Sequence, residues 1–313
     1  MANLKPCLIG MEACGGAHHL GRTLKEYGHD VKLMAVQHVK PYTNAYKNDF
    51  NDAAGICEAV TRPQMKFVGI KTISQQDLMA IHNDRARLVE ERTALANEMR
   101  GLLLENGITI PQGIYKIVPL VNELLDPEAE EITPVLKNLL TSMLADFKNK
   151  SLLIQERETV LNELAKNNSQ VKKLMTIPGV GMITATALIG KIGDVSAFEN
   201  GRQLAAWLGL VPRQYSTGGK VQLGPIRKRG DRTIRTLLVH GARAVLRALK
   251  LKKEETLSPP LKWLKNVAER RGHNKGIVAF ANKMARVIWA VLAHDTEYQG
   301  NYKRPCFQQK LAP

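Results

Sequence analysis

Asp49 and Asp52 stand three residues apart in Lys47-Asn-Asp-Phe-Asn-Asp52-Ala-Ala, downstream of an apolar run, Cys7-Leu-Ile-Gly-Met-Glu12, that closes on a glutamate. On a helix, positions i and i+3 share a face, and a carboxylate arriving from a strand tip can complete an all-oxygen cage of the kind that suits Mg²⁺. An ion held that way polarises a phosphodiester for in-line displacement. The same residues admit a plainer account: Asp49 caps a helix beginning near Phe50, and Asp52 is a first-turn acid favoured by the helix dipole. Taken alone, the pair favours the plainer account.

A second set lies in Pro212-Arg-Gln-Tyr-Ser216-Thr217-Gly-Gly-Lys220, followed by Arg227, Lys228, Arg229, Arg232 and Arg235. Ser216 and Thr217 precede a glycine pair that reads as a turn. Beside so many cations, the same hydroxyls suit a nucleophile at a phosphate whose developing charge the cations stabilise. The charge distribution gives that reading weight. Residues 201–313 hold 23 Lys and Arg against 6 Asp and Glu, so this third of the chain accounts for the whole net charge of +16, and residues 1–200 are near neutral. One-sided basicity of this size predicts a polyanion-binding surface.

A third candidate is Leu174-Met-Thr-Ile-Pro-Gly179-Val-Gly181, between two helical patterns. It reads as a helix-hairpin-helix, in which Gly179 and Gly181 let the backbone approach a phosphate and free N–H groups of the second helix bind it without reading sequence. The alternative is an ordinary turn between helices that needs both glycines for positive φ.

These residues require elements to position them. Leu8–Glu12 and Val31–Val36 read as buried strands around a helix, Ala17–Tyr27, ended by Gly28, and Asp49–Val60 as a helix broken by Thr61-Arg-Pro63. The expectation is an α/β domain with a mostly parallel sheet. Ile81, Leu88, Leu95 and Leu102 recur every seven residues in one long helix, about 75–104. A second, about 134–166, carries Leu136, Leu140, Met143, Phe147, Ile154, Leu161 and Leu164, with gaps at Lys150 and Arg157. The pair predicts an antiparallel helical hairpin or coiled coil that either packs only on itself or joins two subunits through its outer seam; the second, a homo-oligomer, is favoured because so long a hairpin has little other core to bury against. Gln203–Leu210 reads as a short helix holding Trp207. Gly276–Ala293 reads as an amphipathic core helix, interrupted by Lys283 and Arg286, so no membrane span is expected. Cys7, Cys14, Cys57 and Cys306 show no C-x-x-C spacing and the N-terminus no signal peptide, which predicts reduced thiols and a cytoplasmic protein.

In combination, the Glu12 strand, the Lys-Asn-Asp-x-x-Asp-Ala helix start, the long helices, Ile-Pro-Gly-Val-Gly and Pro-Arg-Gln-Tyr-Ser-Thr-Gly-Gly-Lys resemble the DEDD transposases of bacterial insertion sequences, the bridge-RNA-guided recombinases, over about residues 5–293. The resemblance implies a RuvC-like (RNase H-like) domain over 1–73, a coiled-coil insertion over 74–166 and a mainly helical transposase domain over 167–313. It also implies a DNA strand-transfer enzyme using Mg²⁺ and a guide RNA. Glu12, Asp49 and Asp52 match the second, third and fourth acids of the DEDD set, and the family serine falls within Tyr215-Ser-Thr-Gly, aligned to Thr217 with Ser216 adjacent. The chain departs from the pattern at its start: no acid precedes Glu12, so the hairpin carrying the first aspartate lies upstream of Met1 or is lost, and impaired catalysis is expected of the chain as written. A hydrolytic RuvC-like junction nuclease and a nucleic-acid-binding remnant are the competing functions.

Overall fold

A computed structural model describes residues 2–43 and 48–301; Lys47 of the acidic motif and Cys306 lie outside them. The chain is mostly helical with two small sheets and divides into two compact units, residues 1–76 with 168–313, and residues 77–167.

In the first unit, β1 (Leu8–Glu12) pairs in parallel with β2 (Asp30–Met34), in register from Leu8 opposite Asp30 to Glu12 opposite Met34. The crossover is α1 (Ala17–Glu26), which ends where Gly28 turns the chain at φ +87. The strand expected to reach Val36 stops at Met34, because residues 36–39 coil into the short α2 (Val36–Val39) and bury Val39 beside Met34 and Ala59. After α3 (Asp49–Val60), β3 (Phe67–Val68) returns antiparallel to β2. The sheet is thus one parallel and one antiparallel pair, not mostly parallel, and one long side of β1 has no strand partner among the described residues.

Two 33-residue helices dominate the second unit: α4 (Ile73–Glu105), which enters from the first, and α6 (Pro134–Lys166), started by Pro134 and by Thr133, whose hydroxyl accepts the Leu136 N–H. Arg157 and Lys150 of α6 pair with Asp84 and Glu91 of α4, so the helices run antiparallel. Between these helices, residues 106–133, including α5 (Ile117–Leu124), fold onto their far end. Ile110, Ile117, Val121 and Ile132 pack there with Met99, Leu103, Leu140 and Phe147. The hairpin therefore has a further core of its own, and its burial does not require the subunit seam expected from its length.

The rest of the first unit is α7 (Ser169–Met175), α8 (Met182–Ile192), α9 (Gly201–Trp207), a two-stranded ribbon of β4 (Pro212–Thr217) and β5 (Lys220–Ile226), then α10 (Arg232–Leu249), α11 (Pro259–Arg271) and α12 (His273–Ala293). Among the described helices α12 alone is long and apolar enough to cross a membrane. Its apolar face (Ile277, Phe280, Met284, Ile288) is instead buried as the centre of this helical cluster.

Candidate active site and nucleic-acid interface

Asn48, not Asp49, caps α3: its side-chain oxygen accepts the Asn51 N–H at 2.7 Å, leaving Asp49 as the first helical residue and Asp52 in the first turn. Asp49, Asp52, Ile56 and Val60 recur at three- and four-residue steps, so one stripe of α3 carries both carboxylates and the residues that meet β1. They meet it at Gly10, where a Cβ would come within 2.9 Å of the Val60 Cβ. Glu12, two residues along the strand, shares Gly10's face. All three carboxylates thus belong to the facing sides of the α3–β1 pair, and an all-carboxylate set is the right donor chemistry for a hard cation. They are not drawn into a cage: among the described residues, no three of His, Cys, Asp or Glu are grouped closely enough to hold a metal ion.

Ser216 and Thr217 are the last residues of β4, and the glycine pair after them forms the ribbon tip, with φ +55 at Gly218 and +77 at Gly219. Positive φ at both central residues marks the two-residue hairpin turn whose twist matches its strands. The register places Thr217 opposite Lys220 and Ser216 opposite Val221. Because neighbouring residues alternate faces, the two hydroxyls point to opposite sides of the ribbon. Thr217 shares its side with Lys220 and Tyr215; the Ser216 hydroxyl accepts from the Gln214 amide at 2.8 Å. All of β4 is exposed.

Beyond the tip, the chain returns alongside residues 207–211. Arg227 N–H donates to Val211 O, Lys228 N–H to Gly209 O, and Gly230 packs so tightly on Trp207 O that a Cβ would lie 1.9 Å from it. Lys228 is held at φ +54, a conformation that L-residues other than Asn and Asp seldom adopt. Asp231 anchors the start of α10: one carboxylate oxygen caps the helix through the Ile234 N–H at 2.8 Å, and the other pairs with Lys191 Nζ at 2.7 Å. The half-buried Lys71 ammonium has its pKa lowered by desolvation, then by Lys191, with Asp231 opposing. Lys220, Arg227, Lys228, Arg229 and Arg232 are exposed, whereas Arg235 is half-buried and donates to the Leu208 carbonyl at 2.9 Å.

The two glycines of the α7–α8 turn differ. Gly179 has φ +87 and lies back to back with Gly241 of α10, whose carbonyl would be 2.9 Å from any Cβ, so its bareness serves helix packing. Gly181 has an ordinary φ of −92 and open space around it; it precedes the first turn of α8 without a side-chain cap. Of the two, Gly181 alone leaves open space beside the uncapped N–H groups at the start of α8. The Gly179–Gly241 contact and the Asp231–Lys191 pair join residues far apart in sequence and carried no local signal.

Residues 171–256 match the family described as "Transposase IS116/IS110/IS902 family", and residues 1–107 match the IS110-type DEDD transposase family, described as "Transposase". The chain is 45% identical over 302 residues (96% of this chain, 81% of the relative) to "Transposase for insertion sequence element IS1111A" of Coxiella burnetii. It is 42% identical to "Probable family 20 transposase" of Pseudomonas aeruginosa (95% and 87%) and 40% identical to "Transposase for insertion sequence element IS1328" of Yersinia enterocolitica (95% and 87%).

Proposed function

The chain belongs to the IS116/IS110/IS902 family of insertion-sequence transposases, and from that premise we propose that it cleaves and rejoins DNA through the hydroxyl of Thr217 at the ribbon tip. The observation carrying this reading is the placement of Thr217 opposite Lys220 on an exposed ribbon: a cation beside a hydroxyl stabilises both the departing proton's alkoxide and the charge that gathers on an attacked phosphate. Thr217 Oγ1 forms a bond to phosphorus as the scissile P–O bond breaks. The hydroxyl proton leaves to solvent, and the departing strand end takes up a proton to become a free hydroxyl. The phosphoester keeps the bond energy needed for rejoining.

Glu12, Asp49 and Asp52, which stand apart in this structure, would hold Mg²⁺ once drawn together, and the ion would then supply polarisation of the scissile phosphate. Lys220, Arg227, Lys228, Arg229 and Arg232 hold nucleic acid mainly by phosphate contact, with Gly181 at the start of α8 adding backbone donors. A guide RNA pairs with the target and supplies the sequence choice that phosphate contacts lack. The long helices α4 and α6 form a coiled coil through which two copies assemble, and the enzyme works in the cytoplasm, beside chromosomal DNA. Incubating the protein with insertion-element-end DNA and Mg²⁺ tests the reading: a protein–DNA adduct that survives denaturation is expected, and its persistence in Thr217→Ala would refute the assignment.

A further inference from the structure

A groove of about 1840 Å³ lies between the root of the ribbon and helices α9, α11 and α12, and its lining includes none of Ser216, Thr217, Lys220 or the cations of residues 227–235. This is well above the range of a small-molecule site. Its walls are largely apolar, with Trp263 of α11 at the rim, 37% exposed. Arg202 of α9 and Lys275, Lys283 and Arg286 of α12 line it; none of the four has an ion-pair partner among the described residues, and the groove's described lining contains no Asp or Glu. Lys283 Nζ stands 4.4 Å from the centre of the Trp263 ring. Burial, and then the neighbouring Arg286, lower the pKa of its ammonium, and an anion beside it would oppose that shift. From Lys275 to Arg286 the cations on α12 span about 16 Å at the rise of an α-helix.

We propose that this groove binds a single-stranded stretch of nucleic acid, with an unpaired base stacked on Trp263 and successive phosphates on Lys275, Lys283, Arg286 and Arg202. An aromatic face beside a file of cations is the usual platform for unpaired nucleotides, since every base has a π-face and duplex DNA hides its own. An apolar peptide would leave four cations desolvated without partners, which is costly. The inference rests on the proposed action on nucleic acid but uses none of its residues.

The test is anisotropy of the full-length protein with labelled strands of about 16 nucleotides, as DNA, as RNA and as duplex DNA. Trp263→Ala should weaken single-strand binding by about 5- to 100-fold, Trp263→Tyr should restore most of it, and duplex affinity should stay within about two-fold in both. Lys283→Ala with Arg286→Ala, both at the groove surface, should lower the single-strand salt slope by about 0.7 per lost phosphate contact. Whichever strand loses affinity in these variants identifies the occupant as DNA or RNA. Unchanged affinity for both strands, or an equal loss on duplex, overturns the proposal. So does a switch from dimer to monomer in Trp263→Ala with strand binding intact, which assigns the groove to a second copy. Loss of duplex binding in a variant lacking Arg227, Lys228 and Arg229 together would, in those cases, leave the transposase reading standing while the groove fails.

Discussion

Arg157 of α6 donates from Nε to Asp84 of α4 at 2.8 Å, and seven residues along each helix Lys150 meets Glu91 at 2.7 Å. Seven residues are two helical turns, so the two pairs fix one antiparallel register and occupy the places where apolar side chains would otherwise meet. Hydrogen bonds from Arg157, then Arg87, hold the Asp84 carboxyl below its ordinary 3.8, and those from Lys150, then Arg87, hold Glu91 below 4.5. A depressed carboxyl pKa adds stability that is present above the unfolded value and lost as pH falls through the folded one. Helical signal and melting temperature should therefore hold down to about pH 4.5 and decline below it. Asp84→Asn with Glu91→Gln should flatten that acid limb; an unaltered limb in the double variant would show that these pairs do not set it.

Those pairs also show what the sequence disclosed. The interruptions of the apolar period at Lys150 and Arg157 were visible, and both long helices were legible because 33 residues of periodic pattern outweigh local noise. The partners across the seam were not. Of the expected heptad positions, Leu88 is buried and Leu95 and Leu102 pack against the hairpin core, while His82, Ala96 and Leu103, one residue on from Ile81, Leu95 and Leu102, are buried more deeply than these, as is Met99. Periodicity gives a face to within a residue; the charged partners choose the rest. In the acidic cluster the residue types and the i, i+3 spacing were readable. The choice of Asn48 over Asp49 as cap depends on one side-chain oxygen, and the approach of α3 to Gly10 depends on a tertiary contact.

That contact yields a second prediction. Gly10→Val should force α3 from β1, since even a Cβ there falls 2.9 Å from Val60 Cβ; overpacking of this kind costs about 1–3 kcal/mol. Thermal denaturation should show the loss, and DNA cleavage should fall further than stability alone explains because Asp49 and Asp52 ride on the same helix. Val60→Gly, which removes the clashing Cβ, should recover part of the stability that Gly10→Ala alone loses. Failure to recover would mean that the glycine is needed for another reason.

The two turn glycines should separate folding from binding. Gly179→Ala combines positive φ with a backbone clash against Gly241 and should destabilise by more than about 1 kcal/mol. Gly181→Asp, at an open position with φ −92, should fold normally and place a negative charge where a phosphate would sit, weakening duplex binding. Melting curves and DNA titrations on both variants would decide; normal DNA affinity in Gly181→Asp would remove α8 from the interface.

At the ribbon's return, replacing Arg227, Lys228 and Arg229 together should reduce the slope of log affinity against log salt by about 0.9 per lost duplex phosphate contact. Lys228→Gly alone should raise the melting temperature, because glycine accepts φ +54 freely, while still lowering affinity. Arg235→Ala should instead act on folding, since its guanidinium serves the Leu208 carbonyl. A stable Arg235→Ala protein with a smaller salt slope would return that residue to the interface.

The chemical step rests on which hydroxyl of the ribbon attacks, and the alternation of faces allows a decisive comparison. Thr217 and Lys220 share one face and Ser216 and Gln214 the other, so substitutions on one side leave the opposite side's neighbours in place. If Thr217 is the nucleophile, Thr217→Ala abolishes the denaturation-resistant adduct while Ser216→Ala and Gln214→Ala retain it. Lys220→Ala should then slow adduct formation by about 10²-fold or more, in the range of a lost electrostatic donor at a developing charge, and Lys220→Arg should restore part of the rate. Threonine's extra methyl crowds an in-line approach, so Thr217→Ser should be faster than the parent chain. The opposite pattern, with the adduct lost in Ser216→Ala and kept in Thr217→Ala, would transfer the role to Ser216 and make Gln214 the group that steadies it. An adduct that persists when both hydroxyls are removed would place the nucleophile outside the ribbon altogether.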